Sequence, residues 1–128
     1  MFFRKKDVNS DSVSADDRGF TEESRAEAIR NLCGNEAIYE KYLARFRESH
    51  SGSATEIRTL FEAGDFENAR IQSHSLKGLA ATLGLLPISQ TAASLEKMLL
   101  DSSDGLIDKD ALFSALDRLE RELSVVCR

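Results

Sequence analysis

Between Phe66 and Leu83 the apolar or small residues fall at Phe66, Ala69, Ser73, Leu76, Ala80 and Leu83, in alternating steps of three and four. Positions spaced that way share one face of a helix, whereas a strand repeats every second residue. The same rhythm recurs at Ile88, Ala92, Leu95 and Leu99, and again at Leu112, Leu116, Leu119, Leu123 and Val126. No segment alternates with period two, so no strand is predicted. With one proline and seven glycines in 128 residues, the chain has few places to interrupt a helix.

The punctuation agrees with that reading. Thr21 can cap a short first helix that carries Ala28, Ile29 and Leu32 and stops at Gly34. Asn35 can cap the next, whose apolar positions are Tyr39, Tyr42, Leu43, Phe46, Ile57, Leu60 and Phe61. Phe46 and Ile57 stay in phase, which predicts one long helix over about 35–63, with Gly52 as a point where it can bend or break. Gly64 then ends one helix and Asp65 caps the third, which runs to Gly84. Pro87 suits the first position of a fourth. "DSSDG" at 101–105 is a loop, and the last helix covers about 108–126. The predicted fold is all-α: an antiparallel four-helix bundle with a short additional N-terminal helix. It occupies residues 20–128, behind a Ser- and Asp-rich tail or linker at 1–19.

The length suits one domain. A net charge of −5 argues against nucleic acid or an anionic membrane surface as partner, since both select basic faces. No apolar run approaches the roughly 18 residues of a membrane span. Two cysteines, Cys33 and Cys127, read as free thiols rather than a disulfide framework, and place the chain in the cytoplasm. Cys33 is expected to pack as a small apolar group and Cys127 to be exposed.

One position on the third helix does not fit plain packing. His74 lies roughly 130° from the mean direction of the apolar stripe, and so faces solvent. Arg70, Ile71, Gly78 and Ala81 share that side, and Lys77 is one turn on, within reach of the ring. An ordinary surface histidine beside a solvated lysine is the plain alternative. Against it stands Gly78, which weakens a helix by about 1 kcal/mol and strips the wall beside the imidazole. Lys77 offers a cation for phosphoryl oxygens, while Ile71 and Leu85 would give the patch an apolar rim. A neutral imidazole is a competent nucleophile near neutral pH. The residues therefore suit a phosphoryl carrier. Neither a carboxylate cluster for Mg²⁺ nor a Gly-rich loop for ATP accompanies the histidine, so the metal would be supplied by the partner. This predicts a carrier and not an enzyme.

Other candidates carry less. His50, in "ESHSGS", reads as a solvated surface histidine. Tyr39 and Tyr42 read as core and rim. The run "RLERE" at 118–122 reads as a solvated face with Asp117 and Arg121 paired one turn apart.

The stretch His74-Ser75-Leu76-Lys77-Gly78-Leu79-Ala80-Ala81-Thr82-Leu83-Gly84 resembles the signature of histidine-containing phosphotransfer (HPt) domains, in the pattern H-x-L-K-G-x-A-x-x-x-G. The likeness extends to Gly34 and Asn35, Phe46, Ala63-Gly64-Asp65 and Leu95-Glu96, and covers about residues 20–101. The final helix agrees only in being amphipathic. Ser73 stands where the family often has Ala, and Leu79 where a smaller residue is common. The resemblance implies that His74 is phosphorylated through Nε2, that Lys77 stabilises the phosphoryl group, and that Gly78 leaves it space. It further implies that Glu96, on the following helix, accepts the Nδ1 proton and fixes the tautomer. On the residues alone, Glu96 reads as a surface acid paired with Lys97 or Arg70. The implied partner is a receiver domain of a response regulator or hybrid histidine kinase, met by a monomer through Arg70, Ile71, Ala81 and Leu85, without nucleic acid or membrane. A helical interaction module that is never phosphorylated, and an HPt domain cut from a larger hybrid sensor kinase, stay open at this stage.

Overall fold

The computed structural model describes residues 22–101 and 107–127. The tail at 1–19, the cap Thr21 and most of the 101–105 loop lie outside the described residues. Among those described, six helical segments follow in order: α1 (Glu22–Asn31), α2 (Glu36–His50), α3 (Ser53–Glu62), α4 (Phe66–Thr82), α5 (Leu86–Asp101) and α6 (Lys109–Val126). No strand occurs among them. No helix among them is long and apolar enough to cross a membrane.

The periodic stripes form the core. Leu76, Ala80 and Leu83 from α4 and its end, Ile88, Ala92 and Leu95 from α5, and Leu112, Leu116, Leu119 and Leu123 from α6 are all buried. Tyr39, Leu43 and Phe46 of α2 and Ile57 and Phe61 of α3 complete it. α3 packs on α4, α4 on α5, α5 on α6, and α6 back on α3, which closes the bundle. The α4–α5 contact is the most extensive. Fully buried Ala69, Ser73 and Ala80 on α4 and Ala92 on α5 let the two backbones approach closely.

The single helix expected over 35–63 is instead two, α2 and α3, separated by Ser51 and Gly52. Ser51 keeps helical angles, φ −61° and ψ −28°, while Gly52 leaves them at φ −102° and ψ 15° without reversing the chain. Phe46 and Ile57 consequently remain on one buried face, and the pair still serves as one member of the bundle. The interruption falls where serine side chains compete for backbone bonds and glycine weakens the helix. His50 sits there and is half-buried rather than solvated. Its ring centroid is 5.1 Å from that of Phe46, and its Nδ1 is 3.0 Å from Ser53 Oγ. Burial pushes its pKa down, with a smaller opposing pull from Glu56.

Helix ends are closed as their residues dictate. Asn35 accepts from the Ile38 amide at 3.1 Å, Asp65 from Asn68 at 3.2 Å and Asp108 from Ala111 at 3.1 Å. At the end of α4, the Gly84 amide donates to Ala81 O at 3.1 Å and the Leu85 amide to Ala80 O at 2.8 Å, with Gly84 at φ +75°. That turn draws Leu85 inward to 1% exposure, so it is no rim of the His74 face. Leu85 follows the end of α4, and the reversal at Gly84 places it in the core. α1 packs over this turn through Ala28, its one buried residue among those described. Arg25 bonds Glu36 at 3.1 Å, pairs with Glu40, and lies 5.4 Å from the Tyr39 ring centroid.

Three other surface expectations change. Cys33 is exposed, at φ +62°, in the left-handed position that closes α1. Cys127 is half-buried against the core, and burial raises its thiol pKa. Asp117 bonds Arg58 of α3 at 2.8 Å, and Glu122 is buried within the run expected to be solvated.

Candidate functional site

α4 carries its small and apolar residues inward and so turns His74 outward: the histidine side chain is 62% exposed. α5 returns antiparallel across α4 and brings Glu96 level with it. Glu96 Oε2 lies 2.8 Å from His74 Nδ1, and Glu96 Oε1 lies 2.7 Å from Lys77 Nζ. One carboxylate thus holds both residues, each through its own oxygen. It does so in a partly sheltered position, with 18% of its side chain exposed.

The hydrogen-bond inventory fixes the tautomer. An ionised carboxylate only accepts, so His74 Nδ1 is the donor, and the neutral ring keeps its lone pair on Nε2. Glu96 is held in the ionised form. The Lys77 ammonium lowers its pKa most and the His74 contact adds to this, while burial works in the opposite direction. Lys77 does not stretch over the ring; its ammonium is tied to Glu96, one turn from the imidazole.

Gly78 is exposed, and a Cβ built there would meet nothing within 4 Å. Among the described residues, no contact requires glycine at this position. Ile71 is 43% exposed and Ala81 is exposed, whereas Arg70 is half-buried with its guanidinium 3.6 Å from Glu67. Leu79 and Leu86, 39% and 41% exposed, supply apolar surface that Leu85 does not. Ala81 and Leu86 also line a cleft of about 160 Å³ whose other wall is Ser24, Glu27 and Asn31 of α1. That wall was not legible in the sequence, because nothing in α1 indicates which helix end it covers. His74, Lys77, Gly78 and Glu96 are thus gathered at one place, with Ile71 and Ala81 on the exposed side of the same helix.

A helical bundle that presents an exposed imidazole with one nitrogen held by a carboxylate has the form of a histidine phosphocarrier. The family model described as Hpt domain matches residues 41–126. The chain belongs to the Hpt domain family, and that membership supports a histidine phosphotransfer role in a phosphorelay. The matched span takes in α6, which the sequence motif tied to the family only by its amphipathic spacing. No curated protein and no solved structure matches the chain significantly.

Proposed function

We propose that the protein carries a phosphoryl group on His74 Nε2 and exchanges it with an aspartate of a receiver domain, in a response regulator or hybrid histidine kinase. The observation that carries this reading is the division of the imidazole. Nδ1 is committed to Glu96 at 2.8 Å on a side chain that is 62% exposed, which leaves Nε2 as the ring nitrogen for an incoming group. In the accepting direction, the Nε2 lone pair attacks phosphorus. The bond from phosphorus to the aspartate oxygen breaks, and the aspartate leaves with the electron pair as a carboxylate. The ring gains positive charge as the N–P bond forms, and the Glu96 carboxylate at Nδ1–H stabilises it. Lys77, one turn away, can move from Glu96 onto a phosphoryl oxygen. Gly78 leaves room for that group and for the approaching receiver.

In this reading the protein is a monomeric cytoplasmic carrier without an ATP or metal site of its own, and Mg²⁺ belongs to the receiver. Ile71, Ala81 and Arg70 form part of the docking face, with Leu79 and Leu86 taking the place first given to Leu85. Incubating the chain with a phosphorylated receiver should label one site, with an acid-labile, base-stable bond, and His74→Gln should abolish it. Label retained in His74→Gln would exclude His74 as the acceptor.

A further inference from the structure

The carboxylate that divides the His74 ring reaches it from another helix, so its placement depends on how α5 lies along α4. The turn at Gly84 fixes one end of the pair. Glu96 lies ten residues beyond Leu86, where α5 begins, about 15 Å along the helix. Between these points the buried apolar residues of the two helices are Ala80, Leu83, Ile88, Ala92 and Leu95. Such apolar packing is strong but non-directional. A hydrogen bond, by contrast, is specific in both distance and angle.

One such bond crosses the interface in that interval. Ser89 Oγ of α5 donates to the backbone carbonyl of Lys77 on α4 at 3.1 Å, in a half-buried position. Ser89 and Glu96 are seven residues apart, about two turns, and so lie on nearly the same stripe of α5. Both act on Lys77: Ser89 holds its backbone, and Glu96 holds its ammonium at 2.7 Å. The side chain of Glu96 leans back toward its own N-terminus, which in an antiparallel pair is toward His74 and Lys77. Thr82 Oγ makes a comparable bond to the next carbonyl, Gly78 O, at 3.0 Å, but within α4, so it says nothing about the register of the two helices.

We infer that Ser89 is a positioning residue: its bond to the Lys77 carbonyl sets the register of α5 on α4 and so keeps the Glu96 carboxylate on His74 Nδ1. It touches neither the ring nor a phosphoryl group. Its effect on transfer runs through the tautomer, and this part rests on the phosphocarrier reading above.

The test reads the ring directly, in the full chain and without phosphorylation. The ¹⁵N resonances of His74 should show Nδ1 protonated and Nε2 bare in the parent. Ser89→Ala should reduce the ratio of that tautomer to the other by about threefold, within the range of one lost hydrogen bond. Ser89→Thr, which keeps the hydroxyl, should restore it. Ser124→Ala is the control, because it removes a hydroxyl that bonds Arg121 O at 2.7 Å within α6. Ring signals in Ser89→Ala that match the parent, or that shift equally in Ser124→Ala, would overturn the inference. A parent that never accepts phosphoryl would defeat the phosphocarrier reading alone, since the tautomer is measured independently of it.

Discussion

Gly78 and Gly84 lie on and just beyond the same helix, and the fold treats them differently. Gly84 stands at φ +75°, and a Cβ there would sit 2.6 Å from the Ser24 carbonyl oxygen of α1. The turn and the seating of α1 both require glycine. Gly78 lies in ordinary helix, and a Cβ there would meet nothing within 4 Å. Its presence costs helix stability, and no contact among the described residues requires it. A residue that the fold needs and a residue that the fold merely tolerates thus carry different information. The first locates a structural joint; the second, in the proposed reading, leaves the surface beside His74 open for a receiver.

Substitution should separate the two. Gly84→Ala places a side chain in the left-handed region and against Ser24, so unfolding should be easier by about 2 kcal/mol or more. A chemical-denaturation midpoint equal to the parent's would break the comparison from the structural side. Gly78→Ala should stabilise the protein by about 1 kcal/mol while slowing exchange with a receiver. Faster or unchanged exchange in this more stable variant would remove the steric role of Gly78. The smallest effect concerns the pair beneath the ring. The Glu96 pKa is depressed in the fold, chiefly by Lys77, so its stabilising contribution is complete above the ordinary carboxyl range. That contribution is lost as pH falls through the lowered folded value. For a pair this close to solvent it should amount to less than about 1 kcal/mol. His50, also depressed, gives a loss of the same sign nearer neutrality, so Glu96→Gln is the variant that isolates the acid limb. An acid limb unchanged in Glu96→Gln would show that the contact to Lys77 adds nothing to stability.

The sequence made the helices legible wherever one stripe faced one core. The spacings through α4, α5 and α6 needed only a period, and their caps at Asp65 and Asp108 needed only a side-chain oxygen at the helix start. The orientation of His74 followed from the same arithmetic, because an exposed face is the complement of a buried one. What failed was reasoning that continued a helix beyond its physical end. Leu85 lies beyond α4, which stops at Thr82, and the in-phase stripe favours one helix over 35–63 although Gly52 marks the point where it divides. Contacts between helices were the other loss. Residues alone pair Glu96 with Lys97 or Arg70; only the antiparallel placement of α5 brings it to His74 and Lys77. Arg58 taking Asp117 from its expected partner on α6 is the same kind of miss, and so is the Ser89 bond. Periodicity reports which way a residue faces, but not which neighbour waits there.

The most direct test of the central claim is the identity of the nitrogen that carries phosphorus. After phosphorylation by a labelled receiver, phosphorus–nitrogen couplings at His74 should assign the group to Nε2, with Nδ1 still protonated against Glu96. Phosphorus on Nδ1, or on any residue other than His74, would contradict the account.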